Sequence, residues 1–166
     1  MDAGILLARV VFGSLMAAHG AQKLFGWFGG YGIAGTGGYF ESLGFKPGRF
    51  FAAAAGFSEL IGGALLAFGL LGPLAPAMIV AVMVVAMATV HWQHGLFAQN
   101  NGVELPLLYT VAAAGLALTG YGIYSLDALL GLSWPAPVAW VALALGAAGG
   151  FANLALRKTE AQPRAV

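Results

Sequence analysis

The chain has 166 residues, of which 60% are hydrophobic and only 8% charged. A soluble domain carries roughly a quarter charged residues, so there is too little charge here to coat a water-facing surface. A net charge of +1 without a basic stripe excludes a nucleic-acid binder, and the lack of cysteine excludes disulfide relays, thiolate metal sites and iron–sulfur clusters within the chain.

Five hydrophobic segments follow in order, each long and continuous rather than alternating, which selects an all-α polytopic transmembrane bundle over a barrel. The first runs from about Gly4 to Phe25. It opens on Met1-Asp2 rather than a basic stretch and carries His19 and Lys23 in its later turns, so it does not read as a cleavable signal peptide. A turn-rich loop is expected from Gly26 to Gly48, holding "GGYGIAGTGG" and Trp27, Phe28, Tyr31, Tyr39 and Phe40, which suit an interfacial aromatic belt. Its glycines follow a helix and lack a Lys-Ser/Thr ending, so they are not a phosphate loop.

The second segment, about Phe50 to Leu71, ends at Gly72-Pro73, and the third runs from about Leu74 to Trp92. So short a connection sets these two antiparallel. The polar loop "QHGLFAQNNGVE" leads to a shorter fourth segment, about Leu105 to Thr119, with Pro106 in its first turn where a missing N–H is harmless. The fifth, about Pro137 to Leu156, ends in Arg157-Lys158. The expected organisation is a four-helix membrane domain over 1–132, an additional C-terminal transmembrane helix over 133–158 and a disordered polar tail over 159–166.

If all five segments span, Lys23, Lys46, Arg49, Arg157, Lys158 and Arg164 share one side and only Arg9 falls to the other. The positive-inside rule then gives a multi-pass protein with a cytoplasmic C-terminus.

Ionisable groups inside these segments carry the functional information. At about 100° per residue, Arg9, His19 and Lys23 fall within an arc of about 80° on the first helix. Glu59 lies roughly 13 Å into the second segment, too deep and too short to reach an interface. It must be protonated or paired with a cation of the first helix. His91 ends the third segment with Thr89 beside it, and Glu104 begins the fourth. The set fits either a structural clamp holding four helices together or the lining of a polar pocket. No HxxxH or HExxH spacing occurs and "HWQH" is insufficient alone, so no metal site is expected. Haem held by His19 and His91 is not forbidden by depth, since both lie near ends on one side.

The stretch "HGAQKLFGWFGG" from His19 to Gly30 resembles the signature of the DoxX family of small bacterial membrane proteins. The likeness continues through "GTGGYFESLGF", "SELIGGALLAFGLL", "TVHWQHGLFAQNNGVELPLL" and "YSLDALL", in order, over about Leu7 to Leu130. One departure is "GVELP" around Glu104, where the family often has an aromatic on either side of the glutamate. The resemblance implies a four-helix bundle in the bacterial inner membrane. It also implies association with quinone-linked respiratory and sulfur-oxidising complexes or with complexes that protect against oxidative stress.

The resulting expectation is a quinone-linked oxidoreductase component. His19, Lys23, Glu59 and His91 would act on the oxygens and protons of the quinone, with Arg9, Glu104 and Tyr109 in cofactor-contacting or charge-balancing roles. Lipid and a soluble oxidoreductase or other membrane subunit are the expected partners, and homo-oligomerisation is compatible. The competing reading is a non-catalytic scaffold or small-lipid binder that recruits soluble enzymes. A proton-coupled transporter lacks the repeats and paired broken helices it would need.

Overall fold

The computed structural model describes residues 1–158, so the expected tail over 159–166, with Arg164, lies outside the described residues. The described residues contain no strand. The helices are α1 (Asp2–Phe25), α2 (Gly32–Ser42), α3 (Gly48–Phe68), α4 (Leu74–Ala86), α5 (Glu104–Thr119), α6 (Leu126–Leu129) and α7 (Ala136–Ala155). A π-helical stretch, Met87–His91, and a 3₁₀ turn, Trp92–His94, prolong α4. Four helices are long and apolar enough to cross a membrane: Asp2–Phe25, Gly48–Phe68, Leu74–His94 and Ala136–Ala155. The shorter apolar helix α5 adds a fifth rod of roughly 24 Å. The five expected segments are therefore all helical.

One expectation fails. The 26–48 connection is not only turns, because eleven of its residues form α2. Glycine disfavours an isolated helix, but packing decides the stability of short helices. α2 lies on α3 with Thr36 and Gly37 buried. A Cβ on Gly48 would overlap the Gly37 carbonyl, so glycines here admit backbone contact, and Glu41 Oε1 accepts the Gly48 N–H at 3.0 Å.

The tightest contact joins α1 to α3. Gly13 and Gly20 on one helix face Gly63 and Gly56 on the other, and a Cβ at Gly13, Gly20 or Gly63 would overlap backbone of the partner helix. Small residues thus let two backbones touch, the usual route to helix association where lipid removes the hydrophobic drive. α7 repeats the device on α4, since a Cβ on Gly146 or Gly150 would overlap the carbonyls of Ala77 or Ala81. α4 also packs on α3 and α5, leaving α7 on the outer side of α4.

The two ends differ. At the amino end, Asp127 accepts the N–H groups of Leu71 (2.8 Å) and Gly72 (2.7 Å) and the Trp134 indole (2.9 Å). This braces the α3–α4 turn, where Leu71 is held at φ 58°. Burial and then the Asp127 charge push the Tyr121 phenol well up, so it stays protonated and donates to the Gly72 carbonyl. At the other end, Lys158 N–H donates to Gly44 O at 2.8 Å and Arg157 Nε donates to Leu43 O. The C-terminal end of α7 and the α2–α3 connection therefore share one end of the bundle.

Candidate functional site

A cavity of about 720 Å³ opens beside α3 at the end where α7 meets the α2–α3 connection. α2 forms one wall, the amino-terminal half of α3 a second, the last turns of α4 a third, and α7 closes it with Gly149, Gly150 and Asn153. Such a space arises because α2 packs on α3 while α7 packs on α4, leaving a gap between the two pairs.

Glu59 lines this cavity and is buried. Lys23 lines it too, and its Nζ donates to Glu59 Oε2 at 2.5 Å. Of the two solutions open to a carboxyl group at that depth, a proton or a cation, the first helix thus supplies the cation. Local sequence explains the approach: Gly56 stands one turn before Glu59, and a Cβ there would press on the Leu24 side chain and on Lys23 Cβ. Only a glycine lets the last turn of α1 settle so close. Lys23 keeps 25% of its side chain exposed against 3% for Glu59, so the pair links a dry carboxylate to a partly wet ammonium.

The chain then folds back over the end of α1. Gly26 ends that helix at φ 75°, Phe28 sits at φ 52°, and Gln22 Nε2 donates to Phe28 O at 3.1 Å. With its amide nitrogen so engaged, Gln22 presents Oε1 to His19 Nδ1 at 3.1 Å, which puts a proton on that nitrogen. The His19 ring meets Tyr109 edge-on at a centroid distance of 5.9 Å, and both groups lie within electrostatic reach of Glu59. Neither lines the cavity among its described walls.

His91 lines the cavity from the π-helical stretch. Such stretches widen a helix by one residue and recur at functional sites. Its Nδ1 lies 2.7 Å from the Asn101 carbonyl, which can only accept, so Nδ1 carries a proton and, in the neutral ring, Nε2 is the nitrogen with the lone pair. Beside it, Thr89 is buried and donates to Val85 O at 2.8 Å.

Two expected site residues are elsewhere. Arg9 is buried at the amino end, donating to the carbonyls of Ala67 and Tyr124, with Nε unpartnered among the described residues. Sharing a helix face with Lys23 did not place it in the same pocket, because fourteen residues separate them by roughly 21 Å. Glu104 accepts the Ala98 N–H at 2.7 Å and ties down the loop ahead of α5. The structure therefore brings together Lys23, Glu59 and His91 at the cavity, with His19 and Tyr109 behind them.

Among the described residues, no group of three or more His, Cys, Asp or Glu gathers to hold a metal ion. His91 is the single histidine among the cavity's described walls, and His19 lies outside them. Sequence reasoning missed Gln22, Ser58 and Asn153. The signal for Gln22 was available, since it stands at i+3 from His19 on one helix face.

The DoxX family model matches residues 4–92 of the chain. "Putative oxidoreductase CatD" of Bacillus subtilis (strain 168) is 30% identical over 126 residues, covering 76% of this chain and 86% of that protein. An "Uncharacterized protein" of Haemophilus influenzae (strain ATCC 51907 / DSM 11121 / KW20 / Rd) is 36% identical over 78 residues, covering 47% of this chain and 52% of that protein. No solved structure matches the chain.

Proposed function

The chain belongs to the DoxX family of membrane proteins, and from that premise we propose a quinone-linked oxidoreductase component of the bacterial inner membrane. The observation that carries the reading is the Lys23–Glu59 pair on the wall of a largely apolar cavity. Its volume falls within the range of roughly 300–1,000 Å³ usual for small-molecule and cofactor sites. A lipid-soluble ring needs apolar walls and a few polar groups at its oxygens, and this donor set fits that demand.

A quinone supplies the capacity to take up and release two electrons with two protons. The chain's own residues account for the binding and for the protons. Lys23 Nζ, with one N–H on Glu59, retains further N–H groups to donate to a ligand oxygen. Glu59 Oε1 makes no hydrogen bond among the described residues, so this oxygen can take or give a proton without breaking the contact at Oε2. His91 Nε2 offers a second acceptor from the α4 wall. Because Lys23 is partly exposed, protons reach Glu59 from the aqueous end through the ammonium rather than through lipid.

The basic residues Lys23, Lys46, Arg49, Arg157 and Lys158 gather at the cavity end, which supports a cytoplasmic position for it and for the C-terminus. A soluble electron donor would dock there. The test is extraction: protein purified with native lipid should release quinone into organic solvent, identified by chromatography. The Glu59→Gln protein should release much less. If the wild-type extract holds phospholipid only, the lipid-binding scaffold is the better account.

A further inference from the structure

We propose that Asn153, on a helix outside the family-matched region, is a ligand-binding residue of the same cavity. Its side-chain amide donates to an oxygen of the bound quinone from a wall separate from that of Lys23. The inference rests on the quinone reading of the cavity and adds to it a residue that the family match does not reach.

Three observations lead there. First, apart from the Trp140 indole, Asn153 is the one polar side chain that α7 carries between Ala136 and Ala155. In the last turn of a helix otherwise built from apolar and small residues, a primary amide that faces a largely apolar cavity is unfavourable unless something bonds it. Second, the amide lines the cavity, is half-buried, and makes no hydrogen bond among the described residues.

Thr36 and Ser58 also line the cavity. Hydroxyls in helices, however, can turn back to the carbonyl one turn earlier, as Thr89, Thr110 and Thr119 do here. An asparagine amide has two N–H groups and a carbonyl to satisfy, so a single bond back to its own helix would still leave donor and acceptor capacity open toward the cavity.

Third, the wall beside Asn153 is bare. Gly149 lines the cavity, and a Cβ built on it meets nothing within 4 Å, whereas a Cβ on Gly150 would overlap the Ala81 carbonyl. One glycine therefore packs α7 onto α4, and its neighbour leaves room where the amide stands. The strap from Arg157 to Leu43 and from Lys158 to Gly44 holds this end of α7 across the cavity rim, fixing the position of Asn153.

A quinone ring carries carbonyl oxygens at separated positions, so two donors on different walls orient it as one donor cannot. Lys23 serves one oxygen and Asn153 the other.

The experiment measures binding of a short-chain ubiquinone to the full-length protein in nanodiscs, by quenching of tryptophan fluorescence, together with the melting temperature of the quinone-free protein. Asn153→Leu keeps the volume and removes the donor. It should weaken binding about tenfold, the worth of one hydrogen bond in a dry site, while leaving the melting temperature unchanged. Asn153→Gln should restore part of the affinity. Unchanged affinity in Asn153→Leu overturns the inference while the cavity reading stands. A lowered melting temperature with restored binding on added lipid also overturns it, since the residue would then be structural. If wild-type protein and Gly149→Leu, whose side chain would fill the space, bind equally or not at all, the cavity reading fails and this inference with it.

Discussion

Lys23 Nζ donates to Glu59 Oε2 across 2.5 Å, yet the two side chains differ sharply in exposure, at 25% and 3%. The asymmetry decides which partner the fold can lose. Lys23→Met leaves the buried Glu59 with no cation, so it must take up a proton or stay charged and unpaired, and breaking a buried pair in this way costs up to about 3–5 kcal/mol. Glu59→Leu leaves an ammonium that can swing to water, so its loss should be smaller. Lys23→Met with Glu59→Leu should recover most of the stability, because neither charge remains. Thermal unfolding of the purified variants gives the order, and a Glu59→Leu protein less stable than Lys23→Met would contradict it.

The glycine seam between α1 and α3 sets up that pair. Gly20→Ala would drive a methyl into the Leu60 and Gly56 backbone, where no side chain can move aside. The expected loss is about 1–3 kcal/mol, with weakened quinone retention because α1 and α3 must separate. Gly115→Ala on α5 meets nothing within 4 Å and should be neutral or slightly stabilising. Comparing the melting temperatures of these two alanine variants checks the claim. Equal values would show that the seam is not tightly packed.

Asp127 makes a different kind of contribution. Asp127→Ala strands the Leu71 and Gly72 N–H groups, of which the Gly72 donor is buried, and a buried donor left unpaired costs about 1–3 kcal/mol. Stability should fall markedly, while binding of a short-chain quinone to protein kept below its melting temperature should persist, since the cavity lies at the other end. Loss of binding with unchanged stability would assign Asp127 to the site instead.

Orientation is testable because the chain contains no cysteine. Ser42 and Ser133 are exposed, one at the cavity end and one at the amino end. In intact cells, a membrane-impermeant maleimide should label Ser133→Cys and spare Ser42→Cys until lysis. The reverse pattern would place the cavity end outside.

The helices were legible because membrane spans announce themselves as long apolar runs with polar breaks. α2 was not, because its glycines read as turns until Gly37 is seen meeting Gly48. Depth alone said that Glu59 needs a proton or a cation, and face alone nominated Arg9, His19 and Lys23. Choosing Lys23 required the axial register of α1 on α3, which the Gly13, Gly20, Gly56 and Gly63 contacts set and which no single-helix pattern encodes. The tautomer of His91 depended on a carbonyl ten residues away, at Asn101. Asn153 looked unremarkable in sequence because its significance lies in the gap between two helix pairs.

In the proposed function, Glu59 exchanges a proton with a quinone in the cavity beside Lys23. Infrared difference spectra recorded while the bound quinone is reduced electrochemically report this directly. Wild-type protein should show a carboxyl carbonyl band that changes on reduction and is missing from Glu59→Gln. A spectrum in which the quinone bands change but the carboxyl region is identical in both proteins would contradict the account.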